Sequence, residues 1–360
     1  MRYITSFVTR YERRLSTLAF VGGFIWDSLT LTRIDRLLDN LVLLSYLVIA
    51  FAAIMLINAH GAGKFQGSLG KRGVSFAEFL LPFSIGGLFS GFLIFYSRSG
   101  EVWASAPFLL ILVVLFLGNE FMRRHYERFL FQMSLFFVAL FSYAELIVPV
   151  LLGEMGNGVF ILAGLVSVAL FAVALRALSF VAHDEVERGR YKLWSLVGII
   201  FVTFNFLYFN NMIPPIPLSL QEIGVYHSVD RTRSGEYQLS FEKAPWYAFG
   251  RKTSAVFHRS GSESVFVFSS VYAPTRLDTD IFHRWSSYNE TAGEWETSSL
   301  IGFPISGGRS EGFRGYSRKD NIPVGTWRVD VETPRGQIIG RFVFTVVDAT
   351  ETPVLKEVTL

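Results

Sequence analysis

The sequence predicts a membrane α-helical bundle followed by an all-β, Ig-like sandwich domain. Long apolar stretches occupy the chain up to residue 213, and apolar residues recur with a period of two after residue 224. Between these halves stand Pro214, Pro215 and Pro217. Proline lacks a backbone N–H and restricts the residue before it, so a helix ends here. We therefore predict a transmembrane domain over 1–213, a rigid linker over 214–223, a β-domain over 224–348 and a frayed tail over 349–360.

The composition excludes several classes of protein and site. Hydrophobic residues make up 51% of the 360 positions and charged residues only 18%, against about 25% in a typical soluble protein. The chain has no cysteine, which excludes disulfides, Cys-based metal sites and thiol catalysis. The six histidines show no metal-ligand spacing, so we expect no metal and no other cofactor. No basic cluster suggests nucleic acid as a partner.

A membrane-spanning helix needs about 20 mostly apolar residues. Six stretches meet the criterion well: Leu41–Asn58, Glu78–Ser97, Trp103–Glu120, Phe129–Leu152, Gly158–Leu178 and Leu193–Ile213. A further stretch, Leu15–Thr32, is shorter and carries Asp27, so it is either a seventh span or an interfacial helix. Both alternatives stay open: seven spans, or six spans plus an interfacial helix.

The distribution of Lys and Arg between loops predicts the orientation, because cytoplasmic loops are enriched in these residues. If seven segments span, one side holds 14 of these residues and the other side holds 3. With six spans the division is 10 against 7. Seven spans separate the charges better and place the N-terminus in the cytoplasm. Both counts place the C-terminal domain outside the cytoplasmic membrane.

Polar residues within the predicted spans are candidates for function, because burying them in lipid is costly. They lie in the extracytoplasmic halves of predicted helices whose chain direction is from the cytoplasm to the outside. One interpretation is a polar pocket that opens outward, and the other is ordinary hydrogen bonding between helices. The five candidates are Asp27, Glu145, Asn205, Asn210 and Asn211.

The C-terminal half alternates apolar and polar residues, as half-buried antiparallel strands do. Gly325–Glu332 and Gln337–Val347 form a hairpin around the turn Thr333–Gly336. Ser264–Val271 is apolar on both faces at its centre, which predicts a central strand. Seven or eight short strands favour a sandwich. The remaining predicted strands are Gly224–Val229, Glu236–Phe241, Thr253–His258, Asp280–Tyr288 and Glu294–Ser299.

Five short segments carry a resemblance to a known family. They are Asp280–Trp285, Ile305–Arg309, Phe313–Lys319, Gly325–Val331 and Phe342–Val346. Together they resemble the DUF2914 domain over about residues 279–347. The whole chain is also similar to multi-pass bacterial proteins that carry this domain at the C-terminus. The resemblance implies a small extracytoplasmic β-domain without an assigned activity, and it supplies no catalytic residues.

A glycine-interrupted loop with basic and aromatic residues is the predicted binding region. Aromatic rings beside arginine stack on a sugar ring or hold an anionic headgroup or glycan. The alternative is that Trp285 and Trp327 belong to the core, and that the arginines pair with Asp280, Asp320 and Asp330. The candidates for ligand binding are His283, Trp285, Arg309, Arg314, Tyr316, Arg318 and Lys319.

The sequence contains no G-x-S-x-G nucleophile motif and no P-loop, so we do not expect an enzyme. The leading hypothesis is a multi-pass membrane protein whose outer β-domain binds or senses an envelope component. Expected partners are the lipid bilayer and an envelope glycan, an anionic lipid or a partner protein. The alternatives are a transporter-like bundle capped by the β-domain, and a membrane enzyme that uses Asp27 or Glu145 on lipid-linked substrates.

Overall fold

The structure, a computed structural model, describes residues 22–121, 128–233, 235–248, 251–308 and 312–360. The chain divides into two compact units. The helical unit contains the helices up to Asn210. The β-unit contains Asn211–Leu360 together with two shorter segments, Arg98–Ser105 and Leu152–Gly156.

Seven helices lie within the described part of the chain, and five of them are long and apolar enough to cross a membrane. The predicted span Trp103–Glu120 corresponds to a shorter apolar helix of 16 residues. The prediction for Leu15–Thr32 lies partly outside the described residues, which begin at residue 22. The helices are α1 (22–30), α2 (Leu37–Gly61), α3 (Ser68–Ser99), α4 (Ala106–Phe121), α5 (Phe129–Leu152), α6 (Asn157–Ser179) and α7 (His183–Phe209).

Close helix packing in the helical unit depends on small residues opposite aromatic rings. A Cβ at Gly164 of α6 would lie 2.9 Å from the ring of Phe201 and 3.1 Å from that of Phe141. Likewise a Cβ at Gly87 of α3 would lie 2.7 Å from the ring of Tyr46 on α2. Glycine at these positions lets neighbouring helices approach closely, as small residues do in membrane bundles.

The β-unit contains eleven strands within its described residues. They are β1 (Ser219–Tyr226), β2 (Ser228–Arg231), β3 (Tyr237–Glu242), β4 (Val256–Arg259), β5 (Val265–Tyr272), β6 (Asp278–Asn289), β7 (Glu294–Ser306), β8 (Phe313–Lys319), β9 (Gly325–Glu332), β10 (Ile338–Asp348) and β11 (Leu355–Thr359). They form a five-stranded sheet in the order β4-β10-β9-β6-β7 and two three-stranded sheets, β1-β5-β8 and β11-β3-β2. The predicted helical bundle followed by a β-domain is therefore confirmed.

The three sheets pack as layers with β1-β5-β8 in the middle. On one side, Val267 packs in a core with Trp285, Trp327 and Phe344 of the five-stranded sheet. On the other side, Phe268 packs in a second core with residues of β2 and β3. Successive strand residues point to opposite faces, so β5 is apolar on both sides because it is covered on both sides. The predicted central strand is thereby confirmed.

Three local predictions differ from the structure. Phe313–Lys319 is a strand rather than part of a loop, and Gly315 within it leaves room for the ring of Phe303, 2.3 Å from where a Cβ would stand. The tail, predicted to be frayed, forms β11, which pairs with β3. All five residues of β11 are exposed, so the strand carries no apolar periodicity that sequence reasoning detects.

The third difference concerns the predicted linker 214–223. β1 already begins at Ser219, and Leu218 is fully buried in the core of the β-unit. The prolines do not form an extended connector. Instead the chain folds into tight turns, in which the N–H of Ile216 donates to the carbonyl of Pro214 (2.8 Å) and that of Leu218 donates to the carbonyl of Pro215 (3.0 Å).

Candidate functional site

Strand β8 divides the predicted binding residues between two faces, because strand side chains alternate. Ser317 and Lys319 face the five-stranded sheet, where Ser317 bonds to Trp285 and Lys319 donates to Ser299 Oγ (3.1 Å). Tyr316 and Arg318 lie on the opposite face, which is exposed. The strand therefore separates a structural set of residues from a set whose side chains reach the surface.

His283 and Trp285 belong to the structural set. Both are fully buried, and Trp285 Nε1 donates to Ser317 Oγ at 2.9 Å. The ring nitrogens of His283 lie 2.8 Å from Ser317 Oγ and 2.8 Å from Ser269 Oγ. Burial lowers the pKa of His283 to about 3, so the imidazole is neutral at ordinary pH. These two side chains do not reach a ligand at the surface.

Two further candidates do not join the exposed face. Lys319 is half-buried, with its Nζ 5.4 Å from the ring centre of Trp327, and burial lowers its pKa. Arg309 lies outside the described residues. Trp285 and Trp327 are both core residues, and Arg318 pairs with Asp320 at 2.7 Å.

Cations and aromatic rings form a row along this face, with Tyr237 buried and Tyr316 exposed, which we call the cation–aromatic row. Tyr316 is its centre and is 40% exposed. Its ring centre lies 6.1 Å from that of Tyr237 on β3 and 6.2 Å from that of Phe266 on β5. At the two ends, the guanidinium of Arg231 lies 5.8 Å from Tyr237, and that of Arg318 lies 5.8 Å from Phe266.

Arg314 lies two residues before Tyr316 on β8, so it is on the same face of the strand, and it pairs with Ser270 of β5. The row therefore presents an exposed phenol between guanidinium groups. Guanidinium groups form charge-assisted bonds to carboxylates and phosphates, and aromatic faces stack on planar or apolar ligand surfaces. Asp320 accepts from Arg318 and from Ser264 (2.5 Å), which holds one end of the row in place.

Sequence reasoning missed Arg231, Tyr237 and Phe266. They join the row only because β3 and β5 bring them beside β8 across two sheets. Phe266 lies directly opposite Arg318 in the strand register. No local pattern identifies such a contact, since the partners are about 50 to 90 positions apart in the sequence.

A second polar cluster, also unpredicted, surrounds His227. Its Nδ1 lies 2.7 Å from Glu263 and its Nε2 lies 3.1 Å from Glu242, which also contacts His258 at 2.7 Å. Burial disfavours the imidazolium, but the two carboxylates outweigh this effect and raise the pKa of His227. Among the described residues, no group of three or more His, Asp or Glu side chains has an arrangement that could hold a metal ion.

The intramembrane candidates do not converge on one pocket among the described residues. Asp27 accepts from Ser90 Oγ at 2.7 Å, and Glu145 accepts from the hydroxyl of Tyr96 at 2.8 Å. Ser90 and Tyr96 are six residues apart on α3, which is a rise of about 9 Å and a rotation of about 120°. This separation argues against a shared acid–base centre of Asp27 and Glu145.

The three asparagines also bond separately. Asn205 and Asn210 donate to carbonyls of their own helix, those of Phe201 (2.8 Å) and Phe206 (2.7 Å). Asn211 belongs to the β-unit, where it donates to the carbonyl of Arg335 at 3.1 Å. Each of the three side chains therefore donates to a backbone carbonyl. Glu145, in contrast, is buried and its Oε1 has no hydrogen-bond partner within the described residues.

A comparison with protein families gives one match. Residues 278–346 match the family model described as "Protein of unknown function (DUF2914)". The matched segment begins with β6 and ends two residues before the end of β10, so it includes β8 with Arg314, Tyr316 and Arg318. Neither a curated protein nor a solved structure matches the chain.

Proposed function

We propose that this chain is a multi-pass protein of the cytoplasmic membrane whose β-unit binds an anionic glycan of the cell envelope through the cation–aromatic row. The N-terminus is cytoplasmic and the β-unit is extracytoplasmic in this proposal. Five long apolar helices and the unequal distribution of Lys and Arg among the loops support the membrane placement.

One observation carries the choice of ligand: an exposed tyrosine stands between arginines on a solvent-facing strand surface. A sugar ring offers an apolar C–H face to Tyr316, and a carboxylate or phosphate on the next sugar reaches Arg318 or Arg314. A neutral glycan would use only the aromatic ring, so the arginines favour an anionic polymer.

The test uses the full chain in nanodiscs with polygalacturonate as the anionic probe and dextran as the neutral one. The double variant Arg314→Ala/Arg318→Ala should weaken polygalacturonate binding about tenfold, since a charge contact at the protein surface contributes up to about 1 kcal/mol. Tyr316→Ala should weaken it as well, and added salt should reduce wild-type binding through screening. The matched control is Arg276→Ala, which removes an exposed cation from the turn between β5 and β6.

Unchanged binding by the double variant would end the proposal for this surface. A loss with Arg276→Ala of the same size would indicate a non-specific attraction to net charge. Binding of dextran as tight as that of polygalacturonate would contradict the anionic choice of ligand.

The transporter-like alternative has one observation in its favour, the buried carboxylate of Glu145 with an oxygen that lacks a partner among the described residues. A transported cation or proton would use this group. Glu145→Gln in proteoliposomes should then abolish ion-driven flux, whereas polygalacturonate binding by the same sample should remain.

A further inference from the structure

The helical unit contains a cavity of about 500 Å³ at the beginning of α5 and on one face of α7. Its charged lining comprises Arg128, Arg188, Lys192 and Glu185. Three cations thus face one carboxylate. Its volume lies within the range of about 300–1,000 Å³ that is typical of small-molecule sites.

The sequence spacing on α7 explains how the cations meet. Glu185, Arg188 and Lys192 are separated by three and four residues, so they lie on one face of the helix. Gly189 lies on the same face, and a Cβ there would stand 2.9 Å from the ring of Phe129. Glycine therefore lets the first turn of α5 approach α7, which brings Arg128 to the same cavity.

The ionic contacts leave an excess of positive charge. Arg188 is held by Glu185, with Nη2 2.6 Å from Oε1, and its Nε donates to the carbonyl of Asp184 at 3.1 Å. Neither Arg128 nor Lys192 has an ion-pair partner among the residues that the structure describes. Two cations therefore remain available to an anion in the cavity.

The position of the cavity along the helices indicates the kind of anion. Arg128 immediately precedes the apolar helix α5, and Lys192 immediately precedes the apolar part of α7, which starts at Leu193. In a membrane, residues at this boundary lie at the level of the phosphate headgroups. Phe129, Leu130 and Phe131 add an apolar wall, which suits the glycerol and upper acyl region of a lipid.

We infer that this cavity binds the headgroup of an anionic phospholipid in the cytoplasmic leaflet. The inference rests on the membrane orientation in the proposed function. Basic pockets between helices on the cytoplasmic side are a recurring mode of recognition for anionic headgroups. Arg128 and Lys192 bind the phosphate, and Arg188, fixed by Glu185, borders it.

Native mass spectrometry of the full chain in detergent tests the lipid directly, with phosphatidylglycerol and phosphatidylcholine as probes. The wild type should retain phosphatidylglycerol about tenfold more strongly than phosphatidylcholine. Arg128→Ala/Lys192→Ala should remove this preference, and Arg128→Lys/Lys192→Arg should largely keep it. The matched control is Arg190→Ala, which removes an exposed cation from the same helix that pairs with Glu187 and does not line the cavity.

A preference that survives the double alanine variant would overturn the site, and an equal loss in Arg190→Ala would show a diffuse charge effect instead. Inorganic phosphate or glycerol 1-phosphate that displaces the lipid at equal concentration would overturn the choice of a lipid. Because the chain has no cysteine, labelling of a single Arg190→Cys variant in cells reports the membrane side independently. Labelling of this cysteine from outside the cell would contradict the proposed orientation. Polygalacturonate binding is a separate measurement, so failure of the lipid site and failure of the proposed function can be distinguished.

Discussion

The buried imidazole of His283 makes the stability of the β-unit depend on pH. The pKa of His283 is about 3 in the folded protein because the ring is buried, and about 6.5 in the unfolded chain. Between these values the unfolded chain binds a proton that the folded protein does not bind. Stability therefore falls as the pH falls from 6.5 toward 3, and this loss is absent above pH 6.5.

The magnitude follows from the two pKa values. Each pH unit within the window costs about 1.4 kcal/mol, so acidification from pH 7.5 to pH 4.5 lowers the free energy of unfolding by about 2.7 kcal/mol through this group alone. His283→Gln removes the titrating ring. The slope of stability against pH between 6 and 4.5 should then be smaller by about 1.2 kcal/mol per unit than in the wild type.

Hydrogen exchange of the full chain in nanodiscs measures this slope, after correction for the intrinsic pH dependence of exchange. The informative amides belong to β6 and β9, which pair with each other. Val267→Ala is the control, because it weakens the same core without removing a titrating group and should shift the curve while keeping its slope. Equal slopes for the wild type and His283→Gln would refute the reasoning.

Two further predictions concern the other parts of the β-unit. The pKa of His227 is raised in the folded protein, so the protonated ring stabilises the fold. This contribution is complete below pH 6.5 and is lost as the pH rises through the pKa that His227 has in the folded protein. Glu263→Gln should therefore remove about 1–2 kcal/mol of stability below pH 6.5 and less at pH 9, as measured by exchange of β3 amides; equal losses at both pH values would contradict this. Deletion of 349–360 should speed exchange of Tyr237–Glu242, which pairs with β11, and leave β9 unchanged; unchanged exchange in β3 would indicate that the pairing does not persist in solution.

Periodic patterns predicted the strands in which every second side chain faces the core. β9 has the predicted bounds, Gly325–Glu332, because Trp327, Val329 and Val331 alternate without interruption. The alternation does not show what covers the opposite face. There Asp330 and Glu332 are buried, and their carboxylates bind Arg341 and Arg284, each at 2.6 Å.

The cation–aromatic row was predictable only in part, for a physical reason. Tyr316 and Arg318 are neighbours on one strand, so the sequence identifies them together. Their contacts with Phe266 and Tyr237 depend on strand register and on the packing of one sheet against another, neither of which is encoded locally. The glycines beside them also suggested a loop, whereas Gly315 serves the close approach of Phe303.

The β-unit is discontinuous in sequence, because Arg98–Ser105 and Leu152–Gly156 belong to it together with Asn211–Leu360. The N–H of Glu101 donates to the carbonyl of Ile338 at 3.1 Å, and Met155 packs against the core that contains Leu218 and Leu277. These early segments leave the ribosome long before the strands that they contact. A fragment that begins at residue 218 lacks both of them and leaves the Met155 contact surface uncovered. The β-unit can therefore complete its native packing only after nearly the whole chain has been made, and a soluble excised domain is an incomplete substitute for it.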